Sequence, residues 1–214
     1  MAKELEEYQL VPGPYGALDI RDANRVDLAK FLAKIGNTGV EIGVAHGKYS
    51  EILMDANPDL TLYGVDPYEA YEGYKDYQLQ RTFEALMADA HTRLDRFPNY
   101  HFIRKTSMDA LADFEDGRLD WVYIDANHTA PWVEQDIREW AKKVRVGGVV
   151  SGHDYARIAG AEHRSENRYD VLQSVNKYVA DNHIQLYVWG LNSNADKTLK
   201  RDRCRSWMFF KPEQ

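Results

Sequence analysis

The sequence predicts an α/β fold in which helices cover both faces of a mostly parallel sheet. Short apolar runs alternate with helical stripes of ten or more residues, which is typical of right-handed strand–helix–strand units. The last two runs, 184–189 and 206–210, have no helical pattern between them, so we expect an antiparallel pair at one edge of the sheet. No repeat or linker divides the 214 residues. We therefore expect a single domain over 1–214, with an N-terminal extension and helix over 1–35 and a core over 36–214.

The individual elements follow from local composition and spacing. Residues 1–20 are expected to be irregular because proline and glycine recur there. Apolar residues at helical spacing then predict a helix over 21–35. Five apolar runs of strand length predict the parallel strands 39–44, 60–66, 100–104, 119–125 and 147–152. Helical stripes between and after them predict helices that cover 49–56, 83–94, 107–114, 130–144 and 171–179.

The bulk composition argues against several classes of protein. With 27 Lys and Arg against 34 Asp and Glu, the formal charge of −7 gives no reason to expect nucleic acid or an anionic membrane as a partner. A single cysteine, Cys204, excludes an internal disulfide and a Cys-rich zinc site. The N-terminus lacks the apolar run of a signal peptide, and no window has the length of a membrane span. We therefore expect a cytoplasmic protein that binds neither nucleic acid nor a membrane.

The turn after the first parallel strand, "EIGVAHGKYS" over 41–50, predicts a cofactor site. Gly43 and Gly47 permit a tight turn and a close approach of the backbone to a ligand. Glu41 ends the strand, and a carboxylate suits a cationic ligand such as a sulfonium better than it suits a pyrophosphate. The G-x-G-x-x-G pattern of dinucleotide sites is missing from this stretch. The turn therefore favours S-adenosylmethionine over NAD, although glycine turns after strands are also common without a ligand.

Residues after the second and third strands extend this prediction. Asp66 ends the second strand, where an acid can accept both ribose hydroxyls of a nucleotide. The alternative is an aspartate that only ends a strand before Pro67. Ser107 and Met108 follow the third strand and are placed to touch an adenine, although Ser107 would serve equally well as a helix cap.

Acids and histidines follow the fourth and fifth strands. "YIDANHTA" places Asp125 and His128 after the fourth strand, and "SGHDY" places His153 and Asp154 after the fifth. Because ligands of such sheets bind at the carboxyl ends of the strands, we expect these four side chains to converge on one opening. Each alone has a structural explanation, such as a helix cap by Asp125 or a buried histidine satisfied by backbone. Asp136 lies at helical spacing with apolar residues, so we expect it to face inward and to hydrogen-bond a neighbouring loop.

Several of these segments together resemble a known family. "GVEIGVAHGKYS", "LYGVDPY", "LDWVYIDANHTAPWVEQDIREWAKKVRVGGVVSGHDY" and "YDVLQSVNKYV" look like the class I S-adenosylmethionine-dependent methyltransferases, in particular small-molecule and sugar O-methyltransferase-like proteins with I-D-x-x-H and G-H-D segments. The resemblance implies a Rossmann-like sheet of seven strands with helices on both faces and an antiparallel last strand. It implies S-adenosylmethionine on the 43–47 loop, with Asp66 on the ribose. The cofactor contacts that we expect are Glu41, Gly43, Ala45, His46, Gly47, Ser50, Asp66, Pro67, Ser107, Met108 and Asp125.

Two mechanisms fit the acids and histidines. In the first, Asp125 and Asp154, with His153 or His128, hold a divalent cation such as Mg²⁺ or Mn²⁺ that lowers the pKa of a substrate hydroxyl. Metal-dependent O-methyltransferases of the catechol type are similar, but here a histidine precedes the second acid. In the second, His128 or His153 acts as a general base that an aspartate orients. We favour the metal, with Asp125, His153 and Asp154 as ligands and His128, His153 and Asp154 as catalytic residues.

The resulting expectation is an O-methyltransferase that methylates a hydroxyl of a small molecule, which we expect to be a sugar or glycan. The alternatives are a metal-dependent hydroxylase on the same scaffold and a non-catalytic S-adenosylmethionine-binding module. Tyr68, Tyr71, Tyr74 and Tyr77 are candidates for a lid over the opening. The basic segments 155–170 and 194–205 are candidates for contacts with an anionic group of the acceptor. The oligomeric state stays open, with a homodimer as one option.

Overall fold

The structure is a computed structural model that describes residues 3–71, 80–155, 168–191 and 204–213. The strands are β1 (Leu10–Pro12), β2 (Leu18–Arg21), β3 (Thr38–Ile42), β4 (Thr61–Val65), β5 (Tyr100–Ile103), β6 (Leu119–Ile124), β7 (Val144–Gly152), β8 (Tyr187–Leu191) and β9 (Ser206–Phe210). The α-helices are α1 (Arg25–Ile35), α2 (Lys48–Ala56), α3 (Gln80–Leu94), α4 (Ser107–Ala110), α5 (Trp132–Lys143) and α6 (Arg168–Asp181). No helix within these described stretches is long and apolar enough to cross a membrane.

The strands of the described residues form one sheet in the order β1-β2-β8-β9-β7-β6-β3-β4-β5. Strands β3 to β7 pair in parallel, and β9 pairs antiparallel with both β7 and β8. Residues of α1, α2 and α3 pack in the core on one face, and residues of α4, α5 and α6 pack in the core on the other. The predicted α/β class, with helices on both faces and an antiparallel last strand, is confirmed. The last two strands pair antiparallel as predicted, but they do not lie at the edge of the sheet, because β2 and β1 extend it beyond β8.

The N-terminal segment differs from its prediction as irregular chain. Its proline and glycine residues form the connection between two short strands, in which the Gly13 N–H donates to the Ala17 carbonyl at 2.8 Å. β1 pairs antiparallel with β2, and β2 pairs in parallel with β8. The buried Asp19 of β2 also accepts from Arg205 Nη2 at 2.7 Å. β8 and Arg205 are distant from β2 in sequence, so local composition does not reveal that they stabilise it. The sheet of the described residues has nine strands instead of the expected seven.

The start of α1 is fixed by its own side chains. Asn24 Oδ1 accepts from the Val26 N–H at 2.7 Å, and Asp27 Oδ2 accepts from the Asn24 N–H at 3.0 Å. This reciprocal cap satisfies two backbone donors that a helix start would otherwise leave unpaired. The helix therefore begins at Arg25, four residues later than the predicted start at 21.

Candidate active site

A cavity of about 320 Å³ opens at the carboxyl ends of β3, β4, β5 and β6. Ligands of open α/β sheets bind in this position, and the volume falls within the range of small-molecule sites. Side chains of α3 and α5 close its sides. We call it the strand-end cavity. Its wall consists of Ile42, Gly43, Ala45, Val65, Asp66, Pro67, Glu69, Tyr71, Phe83, Leu86, Thr106, Ser107, Met108, Asp125, Ala126, Asn127, Trp132 and Asp136.

The turn between β3 and α2 brings two backbones into close contact. Gly43 has a φ of +90°, and a Cβ built on it would lie 2.3 Å from the carbonyl oxygen of Asp125. Only glycine suits both this dihedral angle and this space. Gly47, with a φ of +70°, is the N-cap of α2, and Ala45 lies between the two glycines on the cavity wall. The predicted glycine turn is therefore present, and it sets the end of β3 directly against Asp125.

Asp66 fastens this turn to the end of β4. Its Oδ2 accepts from the Val44 N–H at 3.1 Å and from the Ala45 N–H at 2.9 Å. Its Oδ1 accepts from the Tyr68 N–H at 2.9 Å. Burial raises the pKa of the carboxyl, although the three backbone hydrogen bonds oppose this shift. A carboxylate has about four acceptor positions, so Asp66 can hold the turn and still accept from one further donor in the cavity.

Glu41, Ser50 and His46 do not line the cavity. Glu41 is only 1% exposed, and its carboxylate accepts from the hydroxyl of Ser50, which is also buried. Side chains alternate between the two faces of a strand, so Glu41 faces the α2 side while its neighbour Ile42 lines the cavity. His46 Nδ1 lies 2.8 Å from Asp89 Oδ2 at the surface. The structure therefore does not show the direct cofactor contacts that the sequence predicts for these three residues.

Burial raises the pKa of Glu41 to about 8, against an ordinary value of 4.5. Because the pKa in the folded state is the higher one, the stability linked to this group is fully present below pH 4.5 and is lost as the pH rises through 8. We expect the wild type to lose on the order of 4 kcal/mol in the free energy of unfolding between pH 5 and 9 through this group. Glu41→Gln should not show this loss, because its side chain does not titrate. Urea unfolding across this range measures it. The exposed Glu84→Gln is the control, and parallel pH profiles for wild type and Glu41→Gln would contradict the prediction.

Two acids and two histidines meet beside the cavity, and we call them the acid–histidine cluster: Asp125, His128, His153 and Asp154. His128 Nε2 lies 3.3 Å from Asp125 Oδ1 and 3.1 Å from Asp154 Oδ2. His153 Nδ1 lies 3.8 Å and 3.6 Å from the same two oxygens. The expected convergence of the ends of β6 and β7 is therefore observed. Asp125 also belongs to the cavity wall, so the cluster and the cavity share one carboxylate.

The geometry of the cluster shows which of its residues could hold a metal ion together. One donor atom each from Asp125, His128 and Asp154 lies within 4.8 Å of the others. The predicted set contained His153 in place of His128. The loop after β6 folds back, so that His128 reaches both carboxylates, whereas His153 lies farther from each. The structure thus favours His128 as the imidazole that joins the two acids.

The charges in the cluster depend on one another. Burial alone would raise the pKa of Asp154, but the hydrogen bond with His153 and the charge of His128 lower it well below its usual range. Burial alone would lower the pKa of His153, but Asp125 and Asp154 raise it. Asp154 has a φ of +56°, a left-handed conformation that aspartate tolerates better than most residues. This conformation follows the end of β7 directly and places the carboxylate in the cluster.

Asp136 is buried on the cavity wall, as expected from its place in the apolar stripe of α5. Its carboxylate accepts from the hydroxyl of Ser107 on α4, and Ser107 Oγ accepts from Trp140 Nε1 at 2.8 Å. Asp136 therefore hydrogen-bonds a neighbouring element, as expected, but that element is the short helix α4 and not a loop. Burial raises the pKa of Asp136 to about 7.

Some wall residues were not predicted from the sequence, and some predicted residues lie elsewhere. Trp132 and Phe83, which were not predicted for the site, reach the wall from α5 and α3. Tyr71, a candidate for the predicted lid, meets Trp132 there with ring centroids 6.0 Å apart. The aromatic spacing of the two helices was a signal for this, but it is equally typical of core residues. Tyr68 is buried, and its hydroxyl donates to the Ala45 carbonyl at 3.1 Å. Tyr74 and Tyr77 of the predicted lid lie outside the described residues, as do 156–167 and 194–203 of the predicted basic segments.

The sheet order, the antiparallel β9 and a cavity over the ends of β3 to β6 are the arrangement expected of a class I methyltransferase. A model of the family described as "Methyltransferase domain" matches residues 40–155, more than half of the chain, and the chain belongs to this family. The sequence-based prediction of an S-adenosylmethionine-dependent methyltransferase is thereby confirmed. A search of curated proteins found no match.

Solved structures share this fold at low sequence identity. A candidate caffeoyl-CoA O-methyltransferase from Staphylococcus aureus is 14% identical, with a TM-score of 0.60 over 97% of this chain and 88% of that chain. The O-methyltransferase TomG from Streptomyces achromogenes, in complex with SAM, is 16% identical, with a TM-score of 0.59 over 88% and 80%. An O-methyltransferase from Bacillus cereus, in complex with SAH, is 14% identical, with a TM-score of 0.59 over 86% and 81%.

Proposed function

We propose that the protein transfers the methyl group of S-adenosylmethionine to a hydroxyl of a small molecule, a sugar or glycan, with the help of a divalent cation. The observation that carries this proposal is that Asp125 belongs to two neighbouring parts of the site. It lines the strand-end cavity, and it belongs to the acid–histidine cluster. The methyl group of a donor bound in the cavity would therefore lie near Asp125, next to the cluster at which the acceptor oxygen would bind. Similar folds from Streptomyces achromogenes and Bacillus cereus bind SAM and SAH.

The cofactor would lie along the cavity, from the end of β5 to the end of β6. Ser107 and Met108 would contact the adenine, and Asp66 would accept from the ribose with its remaining acceptor position. The turn at Gly43 and Ala45 would lie against the methionyl part. Asp125 would lie beside the sulfonium, whose positive charge a carboxylate stabilises. Pro67 belongs to the same wall.

The donor set of the cluster suits a divalent cation. Two carboxylates and one imidazole, from Asp125, Asp154 and His128, are ligands that Mn²⁺ accepts readily and Mg²⁺ accepts with added water. Such an ion, when bound, lowers the pKa of a hydroxyl that it contacts. Asp125 and Asp154 would fix the ligand geometry, and the cavity wall would hold the methyl group in line. Such positioning supplies much of the rate when the transfer itself is downhill.

A general base is the second mechanism that the cluster supports. His153 Nε2 is buried and has no hydrogen-bond partner among the described residues, while Nδ1 faces Asp125 and Asp154. An imidazole oriented by a carboxylate through one nitrogen can take a proton with the other. His128, which contacts the same two carboxylates, is the alternative base. The two mechanisms differ in their response to metal removal.

Calorimetric titration with S-adenosylmethionine, with and without Mn²⁺, tests the proposal. We expect the cofactor to bind in both conditions, and Mn²⁺ to bind with a stoichiometry of about one. Methyl transfer to a panel of sugars should stop after chelation and return with Mn²⁺. Absence of cofactor binding in both titrations would contradict the proposed function. Unchanged methyl transfer after chelation would contradict the metal mechanism and favour a histidine base.

A further inference from the structure

Asp136 is a buried carboxyl on the cavity wall that the proposed mechanism does not use. It is 4% exposed, and it lies on α5 next to the part of the wall that Ser107 and Met108 form. A buried carboxylate is costly unless donors compensate it. Among the described residues, the only donor to Asp136 is the hydroxyl of Ser107, which reaches Oδ1.

Trp140 fixes the direction of this hydrogen bond. Its Nε1–H can only donate, and it donates to Ser107 Oγ at 2.8 Å. The single proton of the Ser107 hydroxyl is therefore directed to Asp136 Oδ1. Asp136 Oδ2 has no hydrogen-bond donor within the described part of the chain. Above the pKa of about 7 that burial gives this carboxyl, the wall thus presents an acceptor oxygen with which a donor on a ligand in the cavity can pair.

We propose that Asp136 selects the cofactor base, its Oδ2 accepting a hydrogen bond from the exocyclic amino group of adenine. This inference rests on the proposed function, which places the adenine at Ser107 and Met108. An amino group carries protons and satisfies the carboxylate. A carbonyl at the same position would bring two acceptors together, and an unsubstituted purine would leave the carboxylate without a donor. The wall should therefore prefer the amino-substituted base.

Three ligands test the inference with the wild-type protein; they differ at position 6 of the base, and hypoxanthine also carries a proton on N1. These are S-adenosylhomocysteine, its analogue with an unsubstituted purine and its analogue with hypoxanthine. In calorimetric titrations at about pH 9, above the pKa of about 7 of Asp136, we expect the purine analogue to bind about 10-fold more weakly than S-adenosylhomocysteine, and the hypoxanthine analogue about 100-fold more weakly. Equal affinities for the three ligands would overturn the inference while the proposed function stands. Failure of S-adenosylhomocysteine itself to bind would instead count against the proposed function.

Asp136→Asn makes a second, sharper test. Because Ser107 must donate, the oxygen of the new side-chain amide would take its proton, and the amide nitrogen would face the ligand. A donor there opposes an amino group and suits a carbonyl, so the preference between S-adenosylhomocysteine and the hypoxanthine analogue should reverse. Glu134→Gln on the exposed side of α5 is the matched control and should keep the wild-type preference. A folded Asp136→Asn protein with the wild-type preference would overturn the inference. If this variant does not fold, the titrations of the wild-type protein with the three ligands test the inference alone.

Discussion

Asp154→Asn is expected to weaken Mn²⁺ binding and metal-stimulated methyl transfer by about 100-fold, while the affinity for S-adenosylhomocysteine changes less than about threefold. The substitution removes a charged ligand and keeps the shape of the side chain. Asparagine also tolerates the left-handed backbone at this position, where φ is +56°, so the end of β7 should stay in place. Asp154 does not line the strand-end cavity, and for this reason the cofactor should be little affected.

Calorimetry with Mn²⁺ and with S-adenosylhomocysteine measures both parts of this prediction. Asp59→Asn, at an exposed position after α2, is the matched control and should leave both affinities unchanged. A parallel loss of cofactor affinity would mean that Asp154 supports the cavity instead of the ion. Wild-type Mn²⁺ affinity in Asp154→Asn would remove Asp154 from the ligand set and favour a histidine base.

The predictable part of the fold is the part that depends on local pattern. Strands β3 to β7 are apolar runs between helical stripes, and each run appears in the structure close to its predicted position. β1 and β2 were missed because their stability comes from pairing with β8 and from the Asp19–Arg205 ion pair. The insertion of β9 between β7 and β8 likewise depends on pairing between distant segments, which the local spacing of apolar residues does not predict.

The site was predictable where topology alone decides the position of a residue. Asp66, Ser107 and Asp125 follow strands whose carboxyl ends meet, and all three line the cavity. Glu41 does not line the cavity because a single position along β3 decides which face of the sheet its side chain joins, so its cofactor contact stays a prediction. That His128 lies closer to both carboxylates than His153 does depends on how the loop after β6 folds back, which residue types do not reveal.

Gly43→Ala is expected to destabilise the protein by about 3 kcal/mol and to weaken S-adenosylhomocysteine binding by at least about 10-fold. An added Cβ would lie 2.3 Å from the carbonyl oxygen of Asp125 and 2.8 Å from the Cα of Ala126. Both atoms are backbone, so relief requires β3 and β6 to move apart. That movement would shift Asp125, which the cavity shares with the acid–histidine cluster.

Gly117→Ala separates this steric effect from the cost of the dihedral angle. Gly117 also has a positive φ, of +71°, but an added Cβ there would meet no atom within 4 Å. It should cost only about 1 kcal/mol and leave cofactor affinity unchanged. Urea unfolding and calorimetry compare the two variants. Equal losses of stability would show that the close approach of β3 to β6 contributes nothing beyond backbone strain. A larger loss of stability in Gly43→Ala, together with weaker cofactor binding, would show that the absence of a side chain at Gly43 is needed to keep Asp125 at the boundary between the cavity and the cluster.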